Sequence, residues 1–297
     1  MATVTITASD VAKLRKTTGA GMMDCKKALT EAEGDFDEAV LILRKKGQKV
    51  AAKRADRDAT EGHVTAKSVG NFGILMTLNC ETDFVAQNAD FIALADKFMD
   101  IAITNKVENA EALMSLEFEA GVTVAEKIIE QTGVIGEKLE ISCVEVISAE
   151  SVVAYNHPGN NVASLVGFNQ AIEDDAALRV VAMQVAAMNP IALNEDAVDA
   201  ETKEREFNLG KEQALKEGKP ENIVDKVAEG KVKKFLKENT LVNQPCIKDN
   251  KSSVAQYLDK ASEGLVATAF RRYSLSYSSR YKIQESDHLK VIAFFVS

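Results

Sequence analysis

The sequence predicts an α+β protein with a three-helix N-terminal unit, a core of two related antiparallel-sheet-plus-helix subdomains, and an inserted helical hairpin. Two observations predict this class. A pattern of strand, turn, strand and helix occurs twice, with Gly-Asn turn signals at residues 70 and 159. Apolar residues recur at three- and four-residue spacings in the segments between and beyond the predicted strands. Runs of helices beside antiparallel strands are typical of the α+β class.

Residues 1–55 are predicted to form a three-helix N-terminal domain that ends in a basic linker. Ser9 is a candidate helix N-cap, and Asp35 followed by Glu38 has the spacing of a capping box. A unit of this size buries a small core, so we expect it to be marginally stable alone. The stretch 44–57 carries seven basic residues and one acid, which favours a solvated linker helix over a nucleic-acid-binding patch.

The repeat divides the core into subdomains at residues 56–148 and 149–197. In each, a Gly-Asn pair leads into an apolar strand, which is followed by a helix predicted to start at Ala89 in the first copy and at about Asp175 in the second. Between the two copies, the sequence predicts helices over 108–116 and 122–131 and a strand over 139–147.

Residues 198–240 are predicted to form a projecting helical hairpin, a coiled-coil or dimerisation module. Ten acidic and ten basic side chains are interspersed there, and Gly218-Lys219-Pro220 breaks the run. The apolar stripe of its second helix is thin, so the hairpin needs a partner surface or tolerates mobility. Residues 241–275 return to the second subdomain with a strand over 241–247, a helix over 253–258 and a strand over 265–273. The tail at 276–297, with its apolar end, stays unassigned.

Composition excludes several functional classes. The chain has 297 residues, 46% of them hydrophobic, and a formal charge of -9, which disfavours direct binding of nucleic acid. Four scattered cysteines without a C-x-x-C pair predict reduced thiols in a cytoplasmic protein and no metal site. The N-terminus lacks the pattern of a signal peptide, and no apolar run is long enough to span a membrane.

The sequence contains no recognisable catalytic motif. Phosphate-binding G-x-x-x-x-G-K-[ST], nucleophile-elbow G-x-S-x-G and zinc-binding H-E-x-x-H patterns are all missing. Lone histidines such as His63 are more often structural than catalytic, and the pair Asp174-Asp175 suits the start of a helix. We therefore expect no cofactor and no enzymatic activity, which leaves interaction surfaces to carry the function.

Two motifs carry a family resemblance. Thr82-Asp83-Phe84-Val85 lies between the apolar strand over 72–80 and the following helix, which places a carboxylate and an aromatic ring on one short turn. The second motif runs from residue 19 to residue 29 and contains the pair Met22-Met23. Both motifs, in this order and at this separation, resemble elongation factor Ts, the guanine-nucleotide exchange factor for elongation factor Tu. The resemblance covers roughly residues 5–275.

The resemblance implies roles for individual residues. Thr82, Asp83, Phe84 and Val85 would dislodge Mg²⁺ from elongation factor Tu, with Phe84 pushed in as a wedge beside the bound GDP. Met22 and Met23 would hold the GTPase domain of Tu, although we expect one of two neighbours on a helix to face inward. His157 would meet another domain of Tu, but Pro158 departs from the family's pattern. The resemblance also implies that GDP and Mg²⁺ belong to the partner, and it allows a homodimer or 2:2 complex through the hairpin.

Other interpretations remain open from the residues alone. Phe84 has the position of a hydrophobic staple that packs near Phe91, and Asp83 that of an ordinary helix cap. The compact N-terminal unit resembles ubiquitin-associated-type (UBA-like) modules, which would make the protein a non-catalytic adaptor. A third hypothesis is a small-molecule enzyme that uses a cleft between the repeated subdomains.

Overall fold

The structure is a computed structural model that describes residues 5–275. The described helices are α1 (Ala8–Thr18), α2 (Met22–Glu31), α3 (Phe36–Arg54), α4 (Asp83–Ala86), α5 (Ala89–Thr104), α6 (Ala110–Ser115), α7 (Val124–Ile135), α8 (Ala176–Met188), α9 (Ala200–Lys216), α10 (Glu221–Asn239) and α11 (Val254–Ala261). The strands are β1 (Glu61–Val69), β2 (Phe72–Cys80), β3 (Glu117–Glu119), β4 (Val122–Thr123), β5 (Glu140–Ser148), β6 (Ser151–Asn156), β7 (Val162–Phe168) and β8 (Ala267–Ser274). This mixture of helices and small sheets confirms the α+β class.

The chain divides into two compact units. Of the described residues, the first contains 5–65, 76–144 and 274–275, and the second contains 66–75 and 145–273. The sheets have the strand orders β1-β2-β5, β3-β4 and β6-β7-β8. The domain limits expected from the sequence stay a prediction.

Three helices open the first unit, as the periodicity predicts. The prediction that Ser9 caps the first helix is wrong, because the helix begins at Ala8 and Thr7 is its cap. Thr7 and Asp10 form a reciprocal capping box, in which the Asp10 carboxylate accepts the Thr7 N–H at 2.9 Å. Asp35 caps α3 as predicted by accepting the N–H of Glu38 at 2.9 Å. The helices share a core of small and branched side chains, namely Val11, Leu14, Ala20, Cys25, Ala28, Leu29, Ala32 and Ala39.

Helix α3 is long, with 19 residues, and it packs against α7 in the same unit. The basic stretch 44–57, predicted as a linker helix, lies in its C-terminal half as far as Arg54, and residues 55–57 follow the helix. The two helices approach closely where they cross, since a Cβ atom built on Gly133 would lie 2.5 Å from the Cα of Gly47. Glycine weakens a helix interior by roughly 1 kcal/mol relative to alanine, so close packing is the physical use of these two residues.

Both copies of the predicted repeat fold as a hairpin followed by a helix. The two-residue connection Gly70-Asn71 joins β1 to β2, its neighbour in the sheet, and a connection this short forms only an antiparallel pair. In the second copy β6 and β7 pair antiparallel from Ser151 opposite Phe168. Gly159 there has φ of 92°, in the left-handed region that glycine tolerates. The helices α5 and α8 begin at Ala89 and Ala176, as predicted.

The second unit has its own core beneath α8 and α11. The strand predicted over 241–247 is wrong, whereas the following helix and final strand are confirmed as α11 and β8. The N–H groups of Leu241 and Val242 donate to residues 192 and 193, but those of Asn243 and Gln244 turn back to Thr240. The segment is therefore a turn, and its apolar residue Leu241 is buried in the core rather than in a sheet.

Helices α9 and α10 form the predicted hairpin within the second unit. They approach closely at Gly210, where an added Cβ would lie 3.1 Å from the Cα of Ala228. Across the pair, Lys231 donates to Gln213 and Glu217. Over residues 5–275, no helix has the length and apolar character needed to cross a membrane.

Candidate functional site

The Thr82–Val85 segment supplies the N-cap and the first three residues of the one-turn helix α4 in the first unit. The prediction that Asp83 caps a helix is wrong, because Asp83 is the first residue of α4 and Thr82 is its N-cap. Thr82 has extended backbone angles, and its hydroxyl accepts the N–H of Val85 at 3.4 Å. Asn88 then caps α5 through its side-chain oxygen, which accepts the N–H of Asp90. Two caps in quick succession separate the short helix from the long one.

The ring of Phe84 points into solvent. The residue is 84% exposed, whereas Phe91 in the first turn of α5 is only 2% exposed. The alternative in which Phe84 packs against Phe91 is therefore wrong. Large aromatic side chains this exposed are uncommon on a folded surface and mark interaction sites when they are held in place.

A carboxylate from a distant part of the chain holds the turn that precedes Phe84. Glu137, just after the C-terminal cap of α7, accepts three hydrogen bonds. Its Oε2 accepts the N–H groups of Glu81 and Thr82 at 3.1 and 3.0 Å, and its Oε1 accepts the Thr82 hydroxyl at 2.7 Å. The hydroxyl of Thr82 is thus used twice, as a donor to Glu137 and as the cap of α4.

Glu81 completes this arrangement in the opposite direction. Its carboxylate accepts the N–H of Lys138 at 2.6 Å and the guanidinium of Arg54, from α3, at 2.8 and 2.9 Å. Burial acts to raise the pKa of the Glu81 carboxyl, but the hydrogen bonds from Lys138 and Arg54 outweigh it and lower that pKa below its usual value. Residues 81–82 and 137–138 are therefore joined by charge-assisted hydrogen bonds.

No local sequence pattern indicates these hydrogen bonds. Glu137 is separated by 55 residues from Thr82 and by a similar distance from Glu81. No short-range pattern links the two segments. The apolar strand before Glu81 is the one local signal that the turn is anchored.

Cys80, the last residue of β2, is a buried thiol directly below the turn. Burial raises its pKa to about 12, with the nearby Glu137 carboxylate contributing in the same direction. The thiol stays protonated at neutral pH, and its Sγ lies 3.2 Å from the carbonyl oxygen of Thr82, to which it donates. It thus supports the turn as a weak donor and does not act as a nucleophile.

Met22 and Met23 occupy the first turn of α2. They are 55% and 65% exposed, so the expectation that one of them faces inward is wrong. The buried face of α2 begins at Cys25 and continues with Ala28 and Leu29. Because methionine side chains are flexible and polarisable, an exposed pair suits an adaptable apolar contact with another protein.

His157 lies in the second unit, in the turn between β6 and β7, and is exposed. Its N–H donates to the carbonyl of Val162, and its own carbonyl accepts the N–H of Asn160. The Nδ1 atom lies 3.1 Å from the hydroxyl of Tyr155. Pro158 is accommodated in this turn without a cis peptide bond. The structure describes His157 in a different unit from Phe84 and the methionines.

The side chains around α4 do not form a metal site. Within residues 5–275, no group of three or more His, Cys, Asp or Glu residues is arranged to hold a metal ion. What the geometry offers near α4 and α2 is apolar side chains presented to solvent on hydrogen-bonded elements. Such features are typical of a protein-binding surface.

Comparison with known proteins identifies the family. The model of the family described as elongation factor TS matches residues 81–277, which begin at the anchored turn. The chain is 51% identical to elongation factor Ts of Christiangramia forsetii, an alignment that covers 91% of this chain and 98% of the relative. It is 50% identical to elongation factor Ts of Flavobacterium psychrophilum (91% and 99% covered) and 46% identical to that of Porphyromonas gingivalis (91% and 98% covered). The chain belongs to the elongation factor Ts family and is thereby a translation elongation factor.

Proposed function

We propose that this protein binds elongation factor Tu·GDP and promotes release of GDP and its exchange for GTP by disturbing the Mg²⁺ and phosphate site of Tu. Thr82, Asp83, Phe84 and Val85 form the segment that enters the partner, with Phe84 as the wedge. Membership of the family and the exposure of this segment support the proposal.

The exposure of Phe84 is the observation that carries the proposal. Burying a phenylalanine side chain contributes roughly 1.5–3 kcal/mol, and this protein leaves that free energy unused within its own fold. The hydrogen bonds between residues 81–82 and residues 137–138 restrict the turn in the free protein. Binding then loses little conformational entropy at the point where the ring is inserted.

One ring does not supply the whole effect. Accelerating GDP release about a thousandfold requires roughly 4 kcal/mol of transition-state stabilisation, more than Phe84 contributes by burial. Other contacts must therefore hold the partner while the ring is inserted. Met22 and Met23 are proposed to bind the GTPase domain, and His157 to bind a second domain of Tu.

The proposed activity needs no covalent chemistry and no cofactor of its own. The protein acts on GDP and Mg²⁺ that belong to Tu, and it is not an enzyme in the chemical sense. Because the coupling between two ligands of one protein is reciprocal, nucleotide must weaken binding of this factor by the same free energy with which the factor weakens nucleotide binding.

The test is release of fluorescent GDP from purified elongation factor Tu after mixing with excess unlabelled GDP, with and without this protein. We expect a large acceleration in the presence of Mg²⁺. The acceleration is expected to be smaller when EDTA has already removed Mg²⁺, because part of the factor's effect is then complete. Binding to Tu without faster release would contradict the proposal and favour the UBA-like adaptor.

The hairpin of α9 and α10 is proposed to mediate a homodimer or a 2:2 complex with Tu. Its exposed apolar residues Leu209, Leu215 and Ile223 are candidate contacts. Analytical ultracentrifugation of the protein, alone and with Tu, tests this part separately from exchange. A monomer and a 1:1 complex at micromolar concentrations would contradict it. The cytoplasmic location and the absence of direct nucleic-acid contacts stay predictions.

A further inference from the structure

We propose that Glu137, with Glu81 and Arg54, positions the exposed ring of Phe84 for nucleotide release, and that these three residues act without touching the partner's nucleotide. We call them the Glu137 clamp. The inference rests on the proposed function and concerns how this chain keeps its wedge stiff.

The need for a clamp follows from the size of α4. A helix of four residues forms about one turn and is not stable by itself in water. None of its residues is fully buried, and Val85 and Ala86 are only partly covered, so packing holds it weakly. Its position therefore depends on what holds Thr82 at its N-terminus.

Glu137 holds both hydrogen-bond donors of Thr82. It accepts the main-chain N–H and the side-chain hydroxyl of Thr82, and also the N–H of Glu81. The same hydroxyl caps α4 by accepting the Val85 N–H. A displacement of the Glu137 carboxylate would consequently move the cap and, with it, the start of the helix that carries Phe84.

Arg54 extends the clamp to the N-terminal helices. Its guanidinium binds Glu81, whose side chain also accepts the N–H of Lys138. Arg54 ends α3, the helix that crosses α7 at Gly47 and Gly133. Arg54 lies at the end of α3, and residues 137–138 follow the end of α7. Both sites contact residues 81–82, so the turn is attached to both helices. Helix α3 also packs against α2, which carries Met22 and Met23, so the proposed N-terminal partner contacts are connected to the wedge within one unit.

The central experiment measures fluorescent GDP release from Tu over a range of factor concentrations for Glu137→Ala. We expect the maximal release rate to fall about tenfold, while the half-saturating factor concentration changes by less than about threefold, because the surface that binds Tu is intact and only its orientation at the nucleotide is lost. Glu140→Gln is the matched control. It removes the same charge three residues away, where the carboxylate contacts the Lys138 ammonium at 2.9 Å, and we expect it to behave like the wild type.

A double-mutant cycle separates a positioning role from a structural one. If Glu137 acts through the ring, adding Glu137→Ala to Phe84→Ala should produce no further loss of the maximal rate. The conservative variant Glu137→Gln can still accept the two N–H groups with its carbonyl oxygen while its amide donates to the Thr82 hydroxyl. We expect it to recover at least half of the rate that Glu137→Ala loses.

Hydrogen exchange of the free protein gives a readout that does not involve Tu. The amide of Thr82 should exchange faster in Glu137→Ala than in the wild type. Its exchange rate should be unchanged in Glu140→Gln. If circular dichroism shows that Glu137→Ala does not fold, Arg54→Ala replaces it, with an expected loss of about threefold in maximal rate.

Three outcomes overturn the proposal: an unchanged maximal rate in the folded clamp variant, an equal loss in Glu140→Gln, or a full additional loss in the Phe84→Ala background. Failure of the wild-type protein to accelerate GDP release would instead overturn the proposed function. The Thr82 exchange measurement would then still show whether the clamp holds the turn.

Discussion

The two hairpin-and-helix repeats differ most in the short segments that join the second strand to the helix. After β2, residues 81–88 form the anchored turn and α4, and they present Phe84 to solvent. After β7, residues 169–175 contain Ile172, which packs against the core of the second unit. Asn169 anchors that linker, because its side-chain oxygen accepts the N–H of Val266 and its side-chain amide donates to the carbonyl of Gly264. One template thus turns its apolar linker residue outward in one copy and inward in the other.

This difference indicates which parts of the fold can carry a binding surface. In both copies the strands and helices bury their apolar faces, so substitutions there change stability. The linkers contribute less to the cores, the first through no fully buried residue of α4 and the second through the partly buried Ile172. A side chain held outward by distant hydrogen bonds, as Phe84 is, does not stabilise its own fold and is available to a partner.

The largest expected effect contrasts Phe84, within the first linker, with Phe168, which directly precedes the second. Phe168 ends β7 and is fully buried, so Phe168→Ala should lower the free energy of unfolding by about 3–5 kcal/mol. Phe84→Ala removes the same ring from an exposed site and should change it by less than about 0.5 kcal/mol. Urea denaturation followed by circular dichroism measures both. Equal losses would show that Phe84 is part of the core.

The next effect is on exchange and is confined to the first linker. Phe84→Ala should slow GDP release from saturated Tu about 10- to 100-fold, because the free energy of burying the ring, roughly 1.5–3 kcal/mol, is lost from the transition state. Val69→Ala, which trims another exposed apolar side chain of the same repeat, is the control and should leave the rate unchanged. Stopped-flow fluorescence gives both rates. A normal rate for Phe84→Ala would remove the wedge from the mechanism.

A smaller effect tests the second linker. Ile172→Ala should lower the free energy of unfolding by about 1 kcal/mol, since the side chain is only partly buried. It should leave GDP release within about twofold of the wild type. The same denaturation and stopped-flow assays apply. If this variant slowed release as much as Phe84→Ala, both linkers would be partner contacts and the contrast between them would fail.

The smallest expected effect concerns the pH dependence of stability. It arises from a sequence difference between β1 and β6, the first strands of the two repeats. His63 is seven residues before Gly70, and the apolar Val152 is seven residues before Gly159. Burial lowers the pKa of His63, and the Asp96 carboxylate 3.8 Å away opposes this only in part. The unfolded chain therefore binds a proton at a higher pH than the folded chain does. Stability should fall as the pH drops below about 6.5, the ordinary pKa of histidine, towards the lower pKa of the folded state.

His63→Val should reduce this fall, and the difference is measured by thermal denaturation between pH 7.5 and 5. Asp96→Asn is the informative control. It removes the one charge that favours protonated His63, so the decline of stability should become steeper or extend to lower pH. Identical pH dependence in the wild type and His63→Val would show that this histidine is not the titrating group.

Much of the fold was predictable because it depends on neighbours in the sequence. Asp35 caps α3 through a residue three positions away, and Gly70 and Gly159 mark hairpins whose strands are adjacent in the chain. The strand predicted over 241–247 was wrong for the opposite reason. Its N–H groups find partners at residues 192 and 193, which no local pattern indicates.

The candidate site divides in the same way. The motif around Phe84 and the pair Met22-Met23 were recognisable from the sequence, and the family comparison agrees with that recognition. From the residues alone, without the family resemblance, their exposure was not predictable, because burial depends on which distant elements cover a residue. The Glu137 clamp was missed entirely, although its hydrogen bonds are among the shortest around the turn.

By itself, the sequence determined the α+β class, the two hairpin-and-helix copies, the helical hairpin and the segment that marks the family. These features follow from spacings of a few residues, over which turn geometry and amphipathic periodicity act. Only the tertiary structure decided that Phe84 and both methionines face solvent and that Glu137 and Arg54 hold the turn beneath the ring. The physical reason is that exposure and long-range hydrogen bonds depend on contacts between residues tens of positions apart, which form when the chain packs.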